Sequence, residues 1–297
     1  MGKLDTFSEI LEIAENSGKK LYEISQEFEA ERFETSVAAI RKQVKCNLDA
    51  MKEAIKAGME SAEKSMSGLC GGDCEKLKNH YVQGKTLFSQ TYQNVLMYSL
   101  ATIEQNLRMG KIVACPTAGS CGIVPAVVIA LSESIDADED IQIDALITAG
   151  VIGKIVSNKL ALAGAVAGCQ SECGVAAAMA AAALVEIYDG TNEQILNAAA
   201  LTLKNVMGLV CDPVAGLVEV PCVKRNAFLA IYAVTAAELA MANIHSVIPI
   251  DEVVDAMKQV GQMMNPALKE SSEAGLATTK TGLEITKRLQ EQWNSDL

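Results

Sequence analysis

Residues 160–187 read LALAGAVAGCQSECGVAAAMAAAALVEI, and this stretch decides what fold the chain can adopt. Its length would suit a membrane span. The polar GCQSECG in its middle argues against one, as does its reliance on Ala and Gly, which are weak in membrane insertion. A pair of buried helices is the better reading. The rest of the chain shares the small-residue habit, since half of all residues are apolar but only 4% are aromatic. The core must therefore be built from Ala, Val, Leu, Ile and Met. Small side chains let helices approach closely and favour many packed helices over a β-sandwich.

Outward from that segment, the pattern is helix after helix. From about Asp5 to Glu63 apolar residues recur at three- and four-residue steps, as in Phe7, Ile10, Leu11 and Ile13, then Leu21, Ile24 and Phe28. The loop SGLCGGDC (Ser67–Cys74) ends that run, Gly84–Arg108 reads as a helix, and ACPTAGSCG (Ala114–Gly122) opens another near Ile123. Helices are expected at Leu146–Val166, Val175–Tyr188, Asn192–Met207, Phe228–Asn243 and Asp251–Met264, with an amphipathic tail helix from Gly282. Leu217–Val220 is the one strand candidate. The expected fold is all-α: one globular domain over 1–297, with about 1–63 as an N-terminal helical arm.

A formal charge of −12 and a pI near 4.8 leave no basic face for a nucleic acid or an anionic membrane. The start, MGKLDTFSEILEIAEN, lacks a basic region followed by an apolar one, so no signal peptide is expected. Nine cysteines, an odd number, then point to a reducing cytoplasm and not to a disulfide framework.

Three of those cysteines interrupt the helical rhythm: Cys169 in AGCQSE, Cys211 in LVCDPVAG and Cys222 in EVPCVKRN. Each sits beside Gly or Pro in a short polar break. A thiol used for packing fits best inside a regular apolar stripe. A metal-binding thiolate needs a loop or helix end, with N–H groups to stabilise the negative sulfur. Three such sites suit an iron–sulfur cluster that leaves one iron open for substrate. Cys46 follows a helical pattern, and no special role is expected of it. Cys70/Cys74 and Cys169/Cys173 are spaced four apart, which alone is weak evidence for a metal. No CxxC occurs, so zinc-ribbon, thioredoxin-like and ferredoxin-like readings lose support.

Two glycine-containing loops offer anion sites. In PTAGSCGIVPAV, Thr117, Ala118, Gly119 and Ser120 precede a helix, where free N–H groups, hydroxyls and the helix dipole suit a carboxylate. Ser67 and the Gly71–Gly72 backbone offer the same in SGLCGGD. Ordinary helix capping is the competing use of both loops.

SGLCGGDCEKL, CPTAGSCGIVPAV, AGCQSECGVAAAMAAAALVE, CDPVAGLVEVPCVKRNA and EAGLATTKTG, in that order, resemble the α chain of the iron–sulfur-dependent bacterial L-serine dehydratases. The likeness runs from roughly residue 60 to the end of TKTG. It implies an all-helical fold and a [4Fe–4S] cluster on Cys169, Cys211 and Cys222, acting as a Lewis acid and not as an electron carrier. L-serine would lose its hydroxyl and its Cα proton, and the product would hydrolyse to pyruvate and ammonia without pyridoxal phosphate. That places the enzyme in amino-acid degradation and gluconeogenesis.

The substrate residues expected on this basis are Thr117, Ala118, Gly119 and Ser120, with Ser67, Gly71, Gly72, Arg225, Thr278 and Thr279. Helix capping competes for Arg225 and for the two threonines. Lys224 is a further cation beside Cys222, and Glu172 and Asp212 flank ligands. Of the two histidines, His80 beside SGLCGGD is the candidate base and His245 ends a helix; otherwise the base lies on a partner chain. Single-chain relatives carry an N-terminal domain before the α portion, so this chain resembles the two-subunit type with a separate β subunit. Some single-chain forms end in a cysteine that reaches the open iron, whereas this chain ends Asn294-Ser295-Asp296-Leu297. Two rival readings stand. One is desulfidation of L-cysteine at the same iron. The other is a non-catalytic electron-transfer or redox-sensing cluster, with Cys173 or Cys115 as a fourth thiolate.

Overall fold

The computed structural model describes residues 4–295, so the final Asp296-Leu297 of the tail lie outside the described residues. Among them run thirteen α-helices: α1 (Phe7–Ser17), α2 (Leu21–Arg32), α3 (Val37–Met59), α4 (Asp73–Val82), α5 (Gln90–Leu107), α6 (Ile123–Ser134), α7 (Glu139–Lys159), α8 (Gly164–Ala167), α9 (Cys169–Ile187), α10 (Asn192–Asn205), α11 (Cys222–Met241), α12 (Ile250–Met263) and α13 (Lys280–Ser295). The all-α expectation holds, and no strand occurs among the described residues.

α9 is the axis of the fold. It packs against α6, α7, α10 and α11, and Ala176, Ala177, Ala178 and Ala180 through Ala183 are all fully buried. Alanine on every face lets four helices close in at once. α9 is also the one described helix long and apolar enough to cross a bilayer, but 94% of that window is buried inside the protein. Near its C-terminal end, the buried Glu186 accepts a hydrogen bond from the Thr148 hydroxyl of α7 at 2.9 Å, as a buried carboxyl requires. The first three helices add Phe7, Ile10, Leu21, Leu48 and Met51 to the same core. The first turn of α1 is held by Asp251, which accepts from the Ser8 N–H at 2.9 Å.

Several boundaries differ from the sequence pattern, each for a local reason. α7 stops at Lys159 and not at Val166, and the chain turns through α8 to Gly168, whose φ of 79° cannot continue a right-handed helix. α9 opens at Cys169 and not at Val175, because its polar first turn is satisfied internally. Gln170 donates its amide to Met257 O at 3.1 Å and accepts from Gly208 N–H at 2.9 Å. α11 opens at Cys222 and not at Phe228, with Lys224 and Arg225 paired to Asp73 and Asp212. Leu217–Val220 is not a strand. It is a turn that folds back so that Val214 N–H donates to Val220 O at 2.9 Å.

Candidate active site

The three cysteines come from three separate segments. Cys169 and Cys222 are the first residues of α9 and α11, while Cys211 lies in the extended link between α10 and α11. The first turn of a helix carries unpaired N–H groups and the positive end of the dipole, which favour a thiolate. All three are buried and none is in a disulfide. A hydrogen bond from the Cys173 thiol, aided by Arg225, holds Cys169 below the ordinary thiol range despite burial, and Cys173 correspondingly keeps its proton. Burial, reinforced by the Cys169 charge, raises Cys211 and pushes Cys222 up to about 12. Cys169, Glu172 and Cys173 form the tightest group, with ligand atoms within 4.8 Å of one another.

Glu172 joins this group to the loop 117–120. Thr117 Oγ1 donates to its Oε1 at 2.6 Å, and burial raises its carboxyl above the usual range, with the Thr117 hydrogen bond opposing. Two glycines make room for it. A Cβ at Gly119 would lie 2.7 Å from Glu172 Oε1, and a Cβ at Gly164 would lie 3.1 Å from Oε2 and 2.9 Å from Cys211 Sγ. Ala118–Ser120 form a single 3-10 turn ahead of α6. Asn226, fully buried on α11, clamps it: its amide donates to Gly119 O at 2.8 Å and its carbonyl accepts from Gly122 N–H at 3.0 Å.

The second glycine loop meets the same region through Val218 and Glu219. Val218 Cγ1 would stand 3.1 Å from a Cβ at Gly119, and its neighbour Glu219 accepts from Ser65 Oγ at 2.6 Å and Ser67 Oγ at 2.8 Å. Gly71, at φ 110°, passes so close to Glu63 that a Cβ would be 2.4 Å from its carbonyl. Gly72 is the N-cap of α4, and the next N–H, that of Asp73, donates to the buried Glu104 at 2.6 Å. A carboxylate of the chain therefore already occupies part of this helix start.

Behind the cysteines, Arg225 donates to Val210 O at 2.8 Å and to Asp212 Oδ1 at 2.9 Å. The other oxygen, Asp212 Oδ2, accepts from Leu276 N–H at 2.9 Å. The segment after α12 lies along the Cys211 link: Cys211 N–H donates to Leu268 O at 2.9 Å and Glu270 N–H to Cys211 O at 2.7 Å.

The structure thus brings together Cys169, Cys211, Cys222, Arg225, Glu172, Thr117, Gly119 and Ser120. Ser67 reaches them through Glu219. Thr278 and Thr279 are exposed; the Thr278 hydroxyl donates to Gly275 O, and Thr279 Oγ1 donates to Leu276 O and accepts from Gly282 N–H at the start of α13. His80 is exposed on α4 beside Tyr81, and no hydrogen bond or ion pair among the described residues joins it to the cysteines. Lys224 turns to Asp73 at 2.6 Å and lies 3.9 Å from Cys70 Sγ. Cys115 is turned to the carbonyls of Val113 and Cys121. Sequence reasoning missed Asn226, Glu219 and Glu270. Asn226 and Glu219 stand inside the EVPCVKRN stretch, where a polar residue in an apolar helix start was the available signal; Glu270 carried none.

The family described as serine dehydratase alpha chain matches residues 16–277. A protein of Bacillus subtilis named "Probable L-serine dehydratase, alpha chain" is 45% identical over 281 residues, covering 95% of this chain and 93% of that one. The "L-serine dehydratase, alpha chain" of Peptoniphilus asaccharolyticus is 40% identical over 284 residues, covering 96% and 97%. The Escherichia coli protein named "L-serine dehydratase 1" is 40% identical over 185 residues, which is 62% of this chain and 41% of that longer protein. By both the matched span and these identities, the chain belongs to the serine dehydratase alpha chain family.

Proposed function

We propose that the chain is the α subunit of an iron–sulfur L-serine dehydratase of the cytoplasm, a lyase whose [4Fe–4S] cluster is held by Cys169, Cys211 and Cys222 and which a separate β subunit completes. The main support is three buried cysteines from three separate segments, with Gly164 packed against both Cys211 Sγ and Glu172 Oε2 and the donor loop latched to Glu172 by Thr117. The two-subunit reading draws on relatives of nearly equal length that carry the name alpha chain.

The donor set fits the cluster. Neither the Cys211 nor the Cys222 sulfur has a hydrogen-bond partner among the described residues, and burial disfavours their charged forms. A thiolate at either position needs positive charge beyond Arg225, which a metal provides. The three sulfurs are also spread too widely to join the group within 4.8 Å, and a cluster, with one sulfur per ligated iron, tolerates that spread better than a single ion.

Bound there, the cluster supplies an open iron as a Lewis acid toward the hydroxyl that leaves. The chain's own residues do the rest. The N–H groups of Ala118, Gly119 and Ser120 receive the substrate carboxylate, and Asn226 fixes their direction. Arg225 adds to the Cys173 hydrogen bond in lowering the Cys169 thiol, and it anchors α11 to the Cys211 link. Glu219 holds Ser67 and its loop against the substrate side, with the Gly71 and Gly72 backbone nearby. The Cα proton is assigned to a base from the β subunit, since His80 stands apart on α4. After water has left, the aminoacrylate tautomerises and hydrolyses to pyruvate and ammonia.

Anaerobic reconstitution with iron and sulfide, followed by EPR of the reduced protein with and without L-serine, tests this. Iron and sulfide in equal amounts with a spectrum that shifts on L-serine is the expected result, with β present if the shift requires it. Iron without sulfide would move the metal to the tight Cys169–Glu172–Cys173 group. Absence of any bound metal would overturn the proposal.

A further inference from the structure

L-serine is a zwitterion, and the site described so far provides for only two of its three polar groups. The carboxylate meets the loop 117–120 and the hydroxyl faces the cysteines, leaving the ammonium without an acceptor. The acids around the site are mostly committed. Glu172 takes the Thr117 hydroxyl and is wedged between Gly119 and Gly164. Asp212 uses both oxygens, on Arg225 and on the Leu276 N–H. Glu219 holds Ser65 and Ser67, and Asp73 is paired with Lys76 and Lys224.

Glu270 is different. It is half-buried, and its carboxylate makes no hydrogen bond or ion pair among the described residues. Its position is nevertheless tightly determined. Its N–H donates to Cys211 O at 2.7 Å, Lys269 forms a parallel bridge with Cys211, and Ser272 Oγ donates to Pro213 O at 2.7 Å. Its backbone is left-handed, at φ 63°, a conformation that a non-glycine residue rarely adopts without being held there. These backbone contacts set Glu270 beside Cys211, and its charge raises Cys211, Cys222 and Glu172 alike. An unpaired carboxylate, held by its backbone beside Cys211, favours a cationic group.

We propose that Glu270 binds the substrate's α-ammonium, so that the site selects α-amino acids over the matching α-hydroxy acids. This rests on the L-serine reading above. Two variants remove the carboxylate by different routes: Glu270→Gln keeps size and shape, while Glu270→Gly relieves the left-handed backbone and so preserves the fold.

The test titrates the reconstituted, reduced enzyme, with its β subunit, against L-serine and against L-glycerate, which replaces the ammonium by hydroxyl. Binding is read from the EPR shift. Both variants should lose about 10- to 100-fold in L-serine affinity, the range for a hydrogen bond to a charged group, with L-glycerate unchanged or tighter. An unchanged serine-to-glycerate ratio in the variants would overturn the assignment of Glu270 alone. A resting spectrum altered before any ligand is added would make Glu270 a metal ligand and overturn it as well. Wild-type enzyme that retains its cluster but binds neither compound would overturn the L-serine reading itself.

Discussion

The Thr117 hydroxyl donates to Glu172 Oε1 at 2.6 Å, which latches the loop before α6 to the first turn of α9. One hydrogen bond therefore couples the donor loop to the helix that carries Cys169. Thr117→Val removes the donor while keeping the shape. The expected outcome is a rise in KM for L-serine of about tenfold, the scale of one hydrogen bond to a buried polar partner, with iron content unchanged. Thr117→Ser should restore the wild-type value. Steady-state kinetics beside iron analysis decides it, and a loss of iron in Thr117→Val would show that the latch serves the cluster instead.

Cys211→Ser should abolish both cluster retention and activity, because an alcohol at a buried site cannot replace the thiolate. Cys46→Ser should leave both intact, since Cys46 is exposed on α3. Iron and sulfide analysis of the two reconstituted variants is the check, and an active, cluster-loaded Cys211→Ser protein would remove Cys211 from the ligand set.

Gly164→Ala places a methyl group 2.9 Å from Cys211 Sγ and 3.1 Å from Glu172 Oε2. The added methyl meets the side chains of Cys211 and Glu172 and no backbone atom, so the fold should survive while metal uptake falls. Circular dichroism paired with iron content measures the two effects separately; full iron uptake would mean that the Cys211 side chain can swing clear.

Ala181 is fully buried in the middle of α9. Ala181→Leu should destabilise the protein by about 1–3 kcal/mol, because four packed helices leave no room for the added methylenes. Urea denaturation monitored by helicity gives the value, and wild-type stability would mean that an unfilled space adjoins that face.

Burial, with the Glu104 charge adding to it, pushes the Cys74 thiol up to about 12 from an ordinary 9.0. A raised pKa means that the folded state holds the proton more tightly than the unfolded chain. The associated stability is fully present below pH 9 and is lost progressively as pH rises toward about 12. Cys74→Ser should flatten the alkaline decline by the equivalent of one proton, about 1.4 kcal/mol per pH unit. Thermal denaturation across that range would show it, and an identical slope in the variant would mean that Cys74 is solvated in the folded state.

What the sequence by itself determined is the helical architecture and the identity of the site's main parts. Helical periodicity and a core limited to small aliphatic residues excluded sheets, and cysteines set beside Gly or Pro marked the positions where a helix begins or the chain bends. Those signals are local: they depend on residues within a turn or two of each other. Helix starts were misread at Cys169 and Cys222 because polar residues there resemble loop, and only distant partners, Met257 for Gln170 and Asp212 for Arg225, make them helical.

Tertiary structure alone decided which residues meet. The Thr117–Glu172 contact spans 55 positions, and the Ser67–Glu219 contact spans 152. The pairing of Cys211 with Lys269 and Glu270 joins two links that no periodicity relates. His80 and Glu270 make the same point from opposite directions. The histidine has the chemistry of a base but is carried outward on α4. The glutamate has no motif to mark it, yet backbone pairing sets it beside Cys211. Residue type sets what a side chain can do; only chain packing sets what it stands next to.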